Sequence, residues 1–274
     1  DQANFSNKSS IATATMSAGP IADAAEVKTL HDTIRSTSNG FSGNAVVNLT
    51  NATTISGSYS ELSALVTYAG SSTITNFSGR NLTEDDGTIS ISNANTLSGS
   101  TTGTVTATLG TISLADSAAI NETGHAYTIT LSDTTVDAGD LSTLDGKTTV
   151  DVNITNVTTL TGTLTEVEQF FTDKNNFSNN TNIATITLDT GAIADAAALK
   201  TFHDNMRTLK ATAVVNATNV TNISGSFTEL NALVTLSDNS TLTNFSGRNL
   251  IEDAGTISVA NANTLSGKTT GAVT

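Results

Sequence analysis

A chain that states much of its sequence twice must build the same local structure twice, and this one does so over long stretches. The segment AVVNLTNATTISGSYSELSALVT from Ala45 returns from Ala213 as AVVNATNVTNISGSFTELNALVT. The correspondence continues to Thr274, so residues 45–106 match 213–274 at an offset of 213 − 45 = 168, with about three-quarters of the positions identical. Upstream, the stretch beginning at Asn4 returns at Asn176, an offset of 176 − 4 = 172. A four-residue difference around Asn39 and Gly40 reconciles the two. The reading is a first long repeat over 1–172 and a partial second copy over 173–274, continuous with one another. The incomplete second copy predicts a segment of a longer repetitive protein.

A hydrophobic-polar-Gly step suggests a shorter period. Its glycines are Gly57, Gly99, Gly162, Gly225 and Gly267, separated by 42, 63, 63 and 42 residues, all multiples of 21. Between these steps the apolar residues alternate in the strand manner, as in Val150, Val152, Ile154 and in Tyr127, Ile129, Leu131. Period two means one buried and one wet face. Short strands of this kind bury enough apolar surface when coils stack. The sequence therefore predicts a mainly β fold, a β-solenoid of about 21-residue coils with short helical excursions. The excursions are Ala22 to Arg35, with Val27, Leu30 and Ile34 on one stripe, its copy with Leu199, Phe202 and Met206, and shorter pieces near Glu61, Thr165 and Thr228.

Composition narrows the function classes. The net charge is −14, from 25 acidic and 11 basic residues, which argues against a nucleic-acid partner. No apolar run is long enough for a transmembrane segment. With no cysteine, disulfides, thiolate catalysis and cysteine metal sites are excluded. Aromatic residues make up 4% and tryptophan is missing, which suits an aliphatic core better than one built on large rings.

The phrases DAGDLSTLDGKTTVDVNITNVTTLTGTLTEVEQFF, from Asp137 to Phe171, and AVVNATNVTNISGSFTELNALV, from Ala213, resemble the repeat units of giant, adhesin-like cell-surface β-solenoid proteins of marine cyanobacteria. That resemblance implies an extracellular or cell-surface location and a structural or adhesive, non-enzymatic role. The glycine- and aspartate-rich nonapeptides of calcium rolls do not occur, so no cofactor is required, although calcium could bind.

Candidate chemistry is sparse. Arg80, Glu84 and Asp85 recur as Arg248, Glu252 and Asp253, and an arginine with two carboxylates would serve polysaccharide cleavage; repetition at fixed spacing favours corner ion pairs instead. Asp137, Asp140 and Asp145 could hold a hard cation together with backbone carbonyls, but their spacing is not that of an EF-hand loop, so turn-forming aspartates are the favoured reading. His31 and His203, flanked by Lys28 with Arg35 and Lys200 with Arg207, read as part of a solvated helix face, and His125 stands at a glycine-marked corner without a visible partner. Sixteen Asn-x-Ser/Thr sequons occur. Those at Asn48, Asn51, Asn76, Asn153, Asn156, Asn216, Asn219, Asn222 and Asn244 are candidate glycosylation sites, or corner ladders of asparagine. Threonine-rich strands such as Thr128-Ile129-Thr130 raise ice binding, but the motif skips coils.

The expected function is a structural segment of a long secreted repeat protein that forms an extracellular or cell-surface fibre, acting in adhesion, coating or scaffolding. Its partners would be copies of itself, end to end or side by side, and cell-surface polysaccharide. The alternative is a polysaccharide-binding or polysaccharide-processing protein using the acidic clusters; phage tail-fibre and ice-binding roles rank below it.

Overall fold

The computed structural model describes residues 7–253 and 255–274. The chain divides into two compact units, one of residues up to Thr130 with Gly146–Val150, the other Leu131–Asp145 with Asp151–Thr274.

Both units are α/β with parallel sheets. In the first, strands Thr13–Thr15, Val46–Asn48 and Ile74–Thr75 lie side by side in one sheet. Strands Gly19–Ile21, Ala52–Gly57, Asn81–Thr88, Val105–Ile112 and Ala126–Leu131 lie in order in another. In the second unit, Thr135–Asp137, Thr159–Gly162, Thr185–Leu188, Val214–Asn216 and Leu242–Thr243 form one parallel sheet. Gly191–Ile193, Val220–Gly225 and Asn249–Glu252 form another. The recurring unit is a short strand, a corner, a longer strand and a helix.

These helices correct the expected fold class: the protein is α/β, not a mainly β solenoid. Tyr59–Gly70, Leu164–Asp173 and Phe227–Asp238 each begin with a capping box, in which Ser58, Thr163 or Ser226 bonds the backbone N–H of Glu61, Glu166 or Glu229 and the glutamate reaches back. Helices Ile91–Ser98, Ala138–Asp145 and Val259–Ser266 were not expected at all. They are not excursions. Leu62, Leu65, Leu97, Leu141, Leu144, Val167 and Phe170 are all at most 1% exposed, so the aliphatic core is shared between strands and helices.

The 21-residue coil is corrected too. Paired strands are offset by 46 − 13 = 33, 74 − 47 = 27, 105 − 82 = 23 and 214 − 185 = 29 residues. A helix advances 1.5 Å per residue and a strand about 3.3 Å, so repeats containing helices of different length close at the same place with different residue counts. The filament reading rested on one uniform stacked column, and it falls with the column, since two compact α/β units stand in its place. Within the described residues no helix is long and apolar enough to cross a membrane.

Candidate functional site

The polar groups that looked like chemistry sit where one strand tier meets the next. Arg80 does not engage Glu84 or Asp85: its guanidinium donates to the carbonyls of Thr50 and Ala52, and Arg248 donates to Thr218 and Val220 in the same way. The asparagines of the sequons form ladders. Asn76 donates to Asn48 at 2.8 Å and Asn244 to Asn216 at 2.8 Å, while Asn48 and Asn216 also accept from the N–H two residues on. Asn153 likewise accepts from Asn179, Asn156 donates to the Leu131 carbonyl, Asn51 to Met16, and Asn222 accepts from Asn249. Asn219 is exposed at a turn. Asn76 and Asn244 hold positive φ, 59° and 56°, which asparagine tolerates better than most residues.

The helix histidines are buried, at 6% for His31 and 2% for His203, so the solvated-face reading is corrected. On the first helix, His31 takes the inward place that Leu30 was expected to hold: it stacks on Tyr68 with ring centroids 3.8 Å apart, and its nitrogens meet Asp32 at 2.9 Å and the Thr73 hydroxyl at 3.0 Å. His203 bonds Asp204 at 3.0 Å. His125 accepts from the Val105 N–H at 3.1 Å, and burial lowers its pKa.

Glu84 is 8% exposed, points inward with Leu82, and has one carboxylate oxygen without a protein partner. Burial pushes its pKa up, assisted by Asp85 and Asp86. A carboxyl with a raised folded pKa stabilises fully below its ordinary unfolded value, and that contribution is lost as pH rises through the raised value. Glu84→Gln is therefore expected to raise the unfolding free energy at pH 7 by on the order of 1 kcal/mol. The gain should shrink toward pH 4 in denaturant titrations, and a variant less stable than wild type at pH 7 would contradict it.

One group of three carboxylates converges in the second unit. Asp137, Glu166 and Asp189 each offer an oxygen, all within 4.8 Å of one another. The local folding is legible: Asp137 ends a strand and accepts from Gly139 and Asp140 N–H, Glu166 belongs to the capping box of its helix, and Asp189 N–H donates to the Gly162 carbonyl at 2.9 Å. Burial, then Asp137 and Glu166, raise the Asp189 pKa. Such a trio can hold a hard cation such as calcium, with carbonyl or water oxygens completing the six to eight it takes. Of the expected ligand set only Asp137 belongs to this group; Asp140 is exposed at a helix start, and Asp145 accepts from Asn176 at 2.9 Å. Glu166 and Asp189 stand 29 and 52 residues beyond Asp137, a spacing that no local motif announces. In a chelator, Asp189→Asn should raise the melting temperature by about 1–2 °C through relief of like-charge crowding.

The chain is thus an α/β protein of parallel sheets in which duplicated polar residues bond to its own backbone and to one another. Comparison with family models, with curated proteins and with solved structures gives no match.

Proposed function

We propose that this chain is a structural segment of a longer repeat protein, acting at the cell surface or outside the cell in adhesion, coating or scaffolding. One observation carries the reading: a set of polar residues copied between the repeats makes the same internal bonds in both. Thr101 donates to the carbonyls of Ser78 and Arg80, and Thr269 to those of Ser246 and Arg248. Lys28 pairs with Asp32 on one helix and Lys200 with Asp204 on its copy. A catalytic centre acts as a single convergent set, whereas devices that join neighbouring tiers gain from being repeated. Acidic surfaces add mutual repulsion and solubility. The resemblance of the Asp137–Phe171 phrases to cell-surface repeats supports the location.

The test is to label intact source cells with an antibody raised against this chain and to measure attachment after deleting the segment from its parent protein. Labelling without permeabilisation and weakened attachment are expected. Labelling only after permeabilisation would overturn the proposal.

A further inference from the structure

The two copies differ at one pair of positions that face each other. At the 168-residue offset, Gly70 corresponds to Asp238 and Ser100 to Lys268. In the second copy Lys268 reaches the Asp238 carboxylate at 3.0 and 2.8 Å, bridging the end of one helix to the turn after the next. In the first copy, Gly70 and Ser100 provide neither charge, and both line an open cavity of about 590 Å³. The turn itself repeats three times, as LSGSTT from Leu97, LDGKTT from Leu144 and LSGKTT from Leu265. Lys147 in the middle turn donates to the Ile120 carbonyl at 2.6 Å. Ser100 is therefore the only one of the three without a lysine reaching back to the preceding tier.

The cavity has a definite chemistry. None of its twelve lining residues is charged, in a chain whose net charge is −14. Hydroxyls and one amide, among them Ser72, Thr75, Asn76 and Thr96, alternate with the hydrocarbon of Val66 and Ile74. An ionic ligand would meet no countercharge there. Asn76, Thr96 and Ser100 already donate to Asn48, Ser92 and Leu97, so what a purely apolar ligand would cover without a partner is the remaining acceptor capacity of these oxygens. A saccharide ring matches both kinds of surface, since its hydroxyls donate and accept like those of serine and threonine, and its C–H faces pack on aliphatic side chains. The volume lies within the range of small-molecule sites, roughly 300–1,000 Å³.

We propose that this cavity binds one or two rings of a neutral saccharide, and that the Asp–Lys bridge bars such binding at the equivalent place in the second copy. The proposal deepens the adhesive reading and rests on it for the source of the sugar. Binding by purified protein and attachment of cells are separate readouts, so either can fail alone.

The test is saturation-transfer NMR and calorimetry on the full chain with glucose, galactose, mannose, N-acetylglucosamine and their homodisaccharides, with glucuronate as the charged comparison. Wild type and Gly70→Asp/Ser100→Lys are compared, and Ser100→Lys alone serves as a second variant if the double variant melts lower than wild type. Binding of at least one neutral sugar, weakened about tenfold or more by the substitutions and exceeding that of glucuronate, is expected. No binding up to about 10 mM of any neutral sugar, or binding that the substitutions leave unchanged, would overturn the proposal.

Discussion

Gly103→Ala is expected to destabilise the first unit by about 2–4 kcal/mol, measured as a fall in denaturant midpoint at unchanged slope. A Cβ on Gly103 would lie 2.4 Å from the carbonyl oxygen of Arg80, 2.6 Å from its carbon and 2.8 Å from the nitrogen of Asn81. These are backbone atoms, and they cannot swing aside. Arg80 is held on both sides: its carbonyl accepts from the Thr101 hydroxyl at 2.5 Å, and its guanidinium grips the carbonyls of Thr50 and Ala52. Gly271 stands in the same relation to Arg248, with the same three distances, so Gly271→Ala should cost a similar amount in the second unit. Gly79→Ala, where an added Cβ meets nothing within 4 Å, is the control and should be nearly neutral. Equal effects at Gly79 and Gly103 would mean that the close tier contact is not what requires glycine.

Phe170→Ala should cost about 3–5 kcal/mol, the usual range for removing a buried aromatic ring from a core. Phe170 is 1% exposed on helix Leu164–Asp173 and packs against Phe177 with ring centroids 5.3 Å apart. The measurement discriminates between the fold described and the mainly β reading. A helix lying outside a strand-only core would lose little more than about 1 kcal/mol on truncation, as a part-exposed side chain does. The full loss is expected because the helix layer closes the core of each unit, and Leu141, Leu144 and Val167 complete the same wall with no exposure.

Much of the local structure was legible. The strand Ala126–Leu131 follows from the alternation of Tyr127, Ile129 and Leu131, all buried. The first long helix follows from its apolar spacing, apart from the exchange of Leu30 for His31, which only the stacked Tyr68 explains. Of the candidate cation ligands, Asp137 was legible through its turn chemistry. Its companions Glu166 and Asp189 were not, because sequence distance carries no information about which corners stack. The Arg80 and Glu84 pair failed for a related reason. Arg80 lies in the corner just before the strand Asn81–Thr88 that carries Glu84, and four residues of extended chain span about 13 Å, so proximity in sequence does not bring the two side chains together.

Residue type and spacing, which act locally, establish by themselves that two copies of one pattern exist, that the core is aliphatic and that the chain is acidic. The strand reading holds for Ala126–Leu131 but not for Leu97-Ser98 and Leu265-Ser266, which end helices, or for Val150, which is exposed. Packing in three dimensions sets that helices form a layer of the core, that paired strands stand anywhere from 20 to 33 residues apart and not a uniform 21, and which polar groups serve the neighbouring tier. Each depends on where a repeat closes in space, and a helix inserted into it changes the residue count without moving that point. The same logic separates Gly70 and Ser100 from Asp238 and Lys268: the substitutions are visible in the sequence, but that they face each other across a cavity is a property of the packed tiers.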